Sequence, residues 1–166
     1  MPEAQIAMYP GSGPRRIVEI LLTYPKPREI LESQRNSLRR EAERLVSPSV
    51  GLEEERKLEQ LSRLVGNYDP GGGSTAYDAL LGSGANSQGL ALSFSLLCTH
   101  AELNCMVVDG RLNGEIHQWN VVETIDGWRH VDLTREEDLR FWTDEELSGA
   151  GYAWQRDLVP QCGEKP

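Results

Sequence analysis

Residues 84–91 read GANSQGLA and open a stretch that is apolar or small on nearly every side. If Ser87 to Leu103 winds as a helix, Leu90, Phe94, Leu97 and Ala101 share one side, with Ala91, Ser95 and Cys98 beside them. The small residues Gly89, Ala91, Ser93 and Ser95 let neighbouring elements approach closely, as a helix in the middle of a core requires. Three strand-like runs follow, over 105–109, 118–124 and 128–133. A chain with this half must enclose one helix against a small sheet.

The remaining segments read as cover. Residues 1–14 hold three prolines and two glycines and are expected to form an irregular arm. The β-branched and apolar run RIVEILLTY, 16–24, reads as a strand stopped by Pro25 and Pro27 and joining a sheet edge or pairing elsewhere. From 28 to 46, Ile30, Leu31, Leu38, Ala42 and Leu45 form one helical stripe opposite arginines and glutamates, and Ser47-Pro48 ends it. A second helix, 52–65, turns Leu58, Leu61, Leu64 and Val65 inward and places Glu53, Glu54 and Glu55 in its first turn, where acids complement the dipole. The charged faces of both helices read as solvated. Residues 69–74, DPGGGS, read as a flexible loop and not a phosphate cradle, because no lysine follows the glycines. A short helix at 75–81 leads to the turn at 82–84; the acidic segment 134–147 is expected to hold a helical turn or two, and the tail from Ser148 to be irregular.

Charge and length bound what such a chain can do. At 166 residues it fits a single domain, taken as 15–166 after the arm. A net charge of −9 repels phosphate backbones, so no nucleic-acid partner is expected. No run of 18 apolar residues is present to insert into a membrane, and the N-terminus lacks the charged and apolar regions of a signal peptide. Cys98, Cys105 and Cys162 match no zinc spacing; two read as buried small hydrophobes and Cys162 as a free tail thiol.

Three segments belong together: Gly84 to Ala91 opening the helix, HQWN at 117–120, and VDLT at 131–134. In order and spacing they resemble the transglutaminase-like superfamily, where a G-x-C-x-G-x-A helix start precedes an H-x-W-N strand and a V-D-x-T strand. The resemblance covers 77–134, and it assigns Ser87, His117 and Asp132 to the catalytic positions. It implies an α+β, papain-like transglutaminase core: the Ser87 helix on a small antiparallel sheet of the three late strands, with extra N-terminal helices covering one side. It also implies a cleft suited to a peptide or protein, and no metal or organic cofactor. Many bacterial domains of this kind sit in larger exported or membrane-anchored proteins.

The chemistry of the pattern follows from the residues. A nucleophile in a helix's first turn sits among unpaired N–H groups, where negative charge is favoured. A histidine shares its proton, and an aspartate fixes the imidazole tautomer, so acyl transfer or amide hydrolysis can pass through an acyl-enzyme. A turn at Asp126-Gly127 would offset His117 and Asp132 by four residues, about 13 Å, so a longer loop or a bulge is expected to correct the register.

Serine stands where the family has cysteine. A hydroxyl is far less acidic than a thiol, and a dipole with one imidazole does not generate its alkoxide. The primary expectation is therefore a catalytically impaired domain that binds or scaffolds a polypeptide. The alternative is an active acyl transferase or amide hydrolase, working through Ser87 or through a cysteine replaced by serine in the laboratory. Cys98 lies about 16 Å along the helix from Ser87 and cannot substitute. Arg135 stands where the family often has tryptophan. Trp119, Trp128 and His130 read as structural, His100 as favouring the helix C-terminus, Asn120 as a strand-end anchor, and Gly84 and Gly89 as backbone permissions.

Overall fold

The computed structural model describes residues 3–135 and 139–163. They divide into two compact units, 1–36 and 37–166.

The first unit is a ribbon of β1 (Glu3–Pro10) and β2 (Arg16–Thr23), followed by the opening of α1 (Arg28–Val46). The arm expected to be irregular is thus a strand, antiparallel to β2 from Glu3↔Thr23 to Pro10↔Arg16. Its prolines and glycines cluster at the ends, while Ala4, Ile6 and Met8 alternate at period two and face Leu22, Ile20 and Val18. That shared face is apolar, and Ile6, Met8, Val18 and Ile20 are all exposed.

The second unit is built around α4 (Ser87–His100), in which eight of fourteen residues are buried. Phe94, Leu97 and Cys98 pack with Ala42 and Val46 of α1, with Leu58 and Leu61 of α2 (Glu54–Ser62), and with Val122 and Val131 of the sheet. Each such Leu or Phe contributes about 1.5–3 kcal/mol on burial. The C-terminal part of α1 and helix α2 therefore pack on α4, while Ile30, at the start of the predicted stripe, is exposed. Helix α3 (Ala76–Leu81) begins with a reciprocal cap between Thr75 and Asp78.

The sheet is antiparallel and four-stranded, in the order β6-β5-β4-β7. Its members are β4 (Cys105–Leu112), β5 (Glu115–Thr124), β6 (Gly127–Val131) and β7 (Tyr152–Trp154). β7 corrects the expectation of an irregular tail: three residues are too few to show a period, and pairing with Gly110, Arg111 and Leu112 orders them. The loop expected at 69–74 is also corrected. Residues Tyr68–Gly73 form β3, held by parallel bridges from Tyr68 and Gly73 to Ala85. Helix α5 (Asp144–Gly149) begins near the end of the acidic segment, whose residues 136–138 lie outside the described ones.

Candidate functional site

Ser87 is the first residue of α4. Asn86 caps the helix, its side chain accepting from the Gly89 N–H at 3.1 Å. Gly84 holds φ +146°, and a Cβ on Gly89 would lie 2.6 Å from the Ala85 Cβ and 2.9 Å from the Gly73 carbonyl oxygen. Both glycines are the backbone permissions expected, one for the turn and one for close packing.

Alternation along β5 sorts the next residues onto two faces. Gln118 and Asn120 point to α4; the Asn120 amide donates to the Ala91 carbonyl at 3.0 Å, tying helix to sheet from mid-strand, not from a strand end. His117 and Trp119 take the other face and pack against Tyr152, with Trp119 fully enclosed. The loop between β5 and β6 is Ile125-Asp126, with Thr124 paired to Gly127. That turn is one residue earlier than Asp126-Gly127, because Gly127 carries the left-handed φ of +108° at its exit. The His117–Asp132 offset falls from four residues to two. A two-residue diagonal is within reach of an imidazole, and an even offset keeps both groups on one face.

His117 and Asp132 meet. The imidazole Nε2–H donates to Asp132 Oδ2 at 2.7 Å, and both side chains are buried. Tyr152 O–H donates to the same oxygen at 2.5 Å, while the Thr134 N–H and hydroxyl donate to Oδ1 at 2.9 and 2.8 Å. Burial is the largest single influence on this carboxyl and opposes its charge. The His117 hydrogen bond and charge, with Tyr152 and Thr134, outweigh it and hold the Asp132 pKa below its ordinary value. Burial and the Asp132 carboxylate push the Tyr152 phenol up, so it stays a donor. The Arg135 guanidinium lies over the Tyr152 ring at 5.7 Å.

Ser87 meets β5 at Gln118, the residue after His117. Its hydroxyl donates to Gln118 Oε1 at 3.1 Å and accepts from the Gln118 N–H at 3.3 Å. The described hydrogen bonds do not join it to His117, although the amide it accepts from directly follows that residue. The spatial meeting of the three expected residues is therefore made between His117 and Asp132 and stops one peptide short of Ser87.

Below this face lies a second histidine–aspartate pair. The Trp119 Nε1–H donates to His130 Nδ1 at 3.0 Å, which leaves the proton on Nε2 to be donated to Asp144 Oδ1 at 2.8 Å. Burial lowers the His130 pKa, against the pull of Asp144. Among the described residues His130, Asp144 and Cys162 form one cluster of metal-ligand type, with ligand atoms within 4.8 Å of one another. They do not fit an ion. Freeing Nε2 as a ligand would set a protonated Nδ1 against the indole N–H, and Arg156 already stands 3.7 Å from Asp144 Oδ2. Cys162 is buried, not an open tail thiol, and burial with Asp144 pushes it up to about 12. All three cysteines are free; Cys105 is only half-buried, while Cys98 is fully enclosed.

Two participants were not marked by the sequence. Tyr152 sits in a three-residue strand without period. Gln118 is the variable position of H-x-W-N, yet Asn113-Gly114, a strong hairpin signal, foretells its pairing with Asp109.

No protein-family model and no curated protein matches the sequence. A solved structure described as "Crystal structure of a TGase" is similar, with a TM-score of 0.50 at 13% identity, covering 89% of this chain and 48% of that one. The chain thus spans about half the length of that protein. The likeness supports a transglutaminase-like fold of mixed α and β structure for this chain.

Proposed function

We propose that this is a transglutaminase-like domain with Ser87, His117 and Asp132 in the three catalytic positions, impaired in catalysis and acting as a polypeptide-binding module. One observation carries the impairment: the Ser87 hydroxyl gives its proton to Gln118 Oε1, not to an imidazole. A serine nucleophile needs a general base within hydrogen-bond reach to remove that proton during attack. The His117–Asp132 pair supports the reading of a retained acid–base half. Asp132 accepts the hydrogen bond from Nε2–H, which leaves Nδ1 as the basic nitrogen of the imidazole. The polypeptide partner is inferred from the fold's likeness to a TGase and commits the site to an extended chain or a side-chain amide.

The test compares the protein with its Ser87→Cys variant for amine incorporation into, and amide hydrolysis of, glutamine-containing peptides. The serine form is expected to show no turnover above buffer and to bind such peptides in a fluorescence-polarisation titration. The Ser87→Cys form is expected to gain turnover that disappears with His117→Ala. Turnover by the serine form that His117→Ala abolishes would overturn the impairment.

A further inference from the structure

We propose that Gln118 governs access to the Ser87 hydroxyl, acting as a side-chain clamp anchored on the neighbouring strand. The inference rests on the reading of Ser87 as the nucleophile position and concerns how that position is controlled.

Gln118 is the direct cross-strand partner of Asp109 in the β4–β5 hairpin. Its Nε2–H donates to Asp109 Oδ1 at 3.3 Å, which orients the carboxamide so that Oε1 is offered to Ser87 at 3.1 Å. The Gln118 backbone N–H meanwhile donates to Ser87 Oγ at 3.3 Å. One residue thus takes the hydroxyl's proton and occupies one of its lone pairs. With its only proton given to an amide oxygen, the hydroxyl has nothing to give a base until that bond breaks.

The register makes this arrangement specific. The two-residue Asn113-Gly114 turn, with Asn113 at φ 52° and Gly114 at φ 91°, sets Leu112 opposite Glu115 and hence Asp109 opposite Gln118. Alternation then gives Gln118, and not His117, the face toward α4. Asp109 is exposed, so the outer end of the clamp is in contact with water and can be released. Release frees Ser87 without disturbing the buried His117–Asp132 pair, because the Gln118 and His117 side chains alternate to opposite faces of β5.

The test reads exposure of the position directly and needs no turnover. Ser87→Cys protein is treated with iodoacetamide, and the rate at the introduced thiol is followed by mass spectrometry of its peptide. Rates are compared well below the midpoint of each variant's pH profile, where the thiol still carries the proton that Gln118 Oε1 accepts and the clamp is in place. Adding Gln118→Ala is expected to accelerate alkylation roughly three- to tenfold, the factor that one net hydrogen bond sustains. An acceleration of twofold or more supports the clamp, and a smaller one overturns it. Thermal unfolding is recorded in parallel. If Gln118→Ala does not fold, Gln118→Met, which keeps the length and removes both amide groups, is judged by the same criterion. A separate arm with His117→Ala tests the functional reading. If the pH profile of the introduced thiol is the same with and without His117, the proposed acid–base pairing fails, while the Gln118 comparison still decides the clamp.

Discussion

His117 Nε2 lies 2.7 Å from Asp132 Oδ2, although the strand register does not place the two residues opposite each other. Asn120 pairs with Val131, so the next rung would set Trp119 against Asp132. The chain leaves β6 at Val131, and the imidazole spans a diagonal of two residues. What fixes the pair is saturation of the carboxylate: His117 and Tyr152 take one oxygen, and Thr134 takes the other twice. Asp132→Ala would leave these donors unpaired in a buried place and is expected to cost about 2–4 kcal/mol in urea unfolding. A loss below about 1 kcal/mol would mean that water reaches the donors.

Tyr152→Phe removes one donor and leaves the ring. The Asp132 carboxyl, held low in the folded protein, is expected to titrate at higher pH in the variant, followed by carbon NMR of the carboxyl group. Its stabilising contribution is present above the unfolded value, about 3.9, and is lost as pH falls through the folded one. The acid limb of the stability curve should therefore move to higher pH. An unchanged Asp132 titration would remove Tyr152 from the pair.

His130 gives a pH dependence at milder acidity. Its folded pKa is lowered, chiefly by burial, so below about pH 6.5 the unfolded chain takes up a proton that the folded chain refuses. Stability should be complete above that value and fall, by at most about 1.4 kcal/mol per pH unit, until the folded value is reached. Urea midpoints between pH 7.5 and 5.5 should show this slope, and His130→Gln should flatten it. A slope unchanged by the substitution would assign it elsewhere.

Gly89→Ala tests the close approach at the start of α4. The added Cβ would press on Ala85 and on the Gly73 carbonyl, both at less than normal contact distance. Overpacking of this kind is expected to cost about 1–3 kcal/mol despite alanine's better helix propensity. A variant as stable as the parent in thermal unfolding would show that β3 yields freely.

The elements legible in the sequence were those with a period and a clear stop. Helix α1 runs over 28–46 as its stripe and Ser47-Pro48 predict, and the buried α4 follows from its small and apolar residues. What escaped was structure specified by partners. β1 has its own alternation, but prolines at both ends disguise it; β7 exists because an edge of β4 was open; β3 rests on Ala85. In the candidate site, motif spacing singles out Ser87, His117 and Asp132 but not the face each side chain takes. That depends on Asn113-Gly114, whose turn extends β4 and β5 beyond the strand limits expected from 105–109 and 118–124 and fixes Gln118 beside Asp109. Linear order says which residues come near; only parity along a strand says which of two neighbours reaches across.

Trp119 stacks near-parallel to the His117 ring, with centroids 6.2 Å apart and planes at 25°, and hydrogen-bonds through its indole N–H to His130. A protonated imidazole beside an indole quenches its emission. Trp119 is therefore an intrinsic optical reporter of both histidines, joined at His130 by Trp154, whose ring centroid lies 4.7 Å from that imidazole. Emission spectra, with Trp154→Phe to isolate Trp119 and single-histidine variants to separate the two partners, would report on the site and on the foundation under it without any added label.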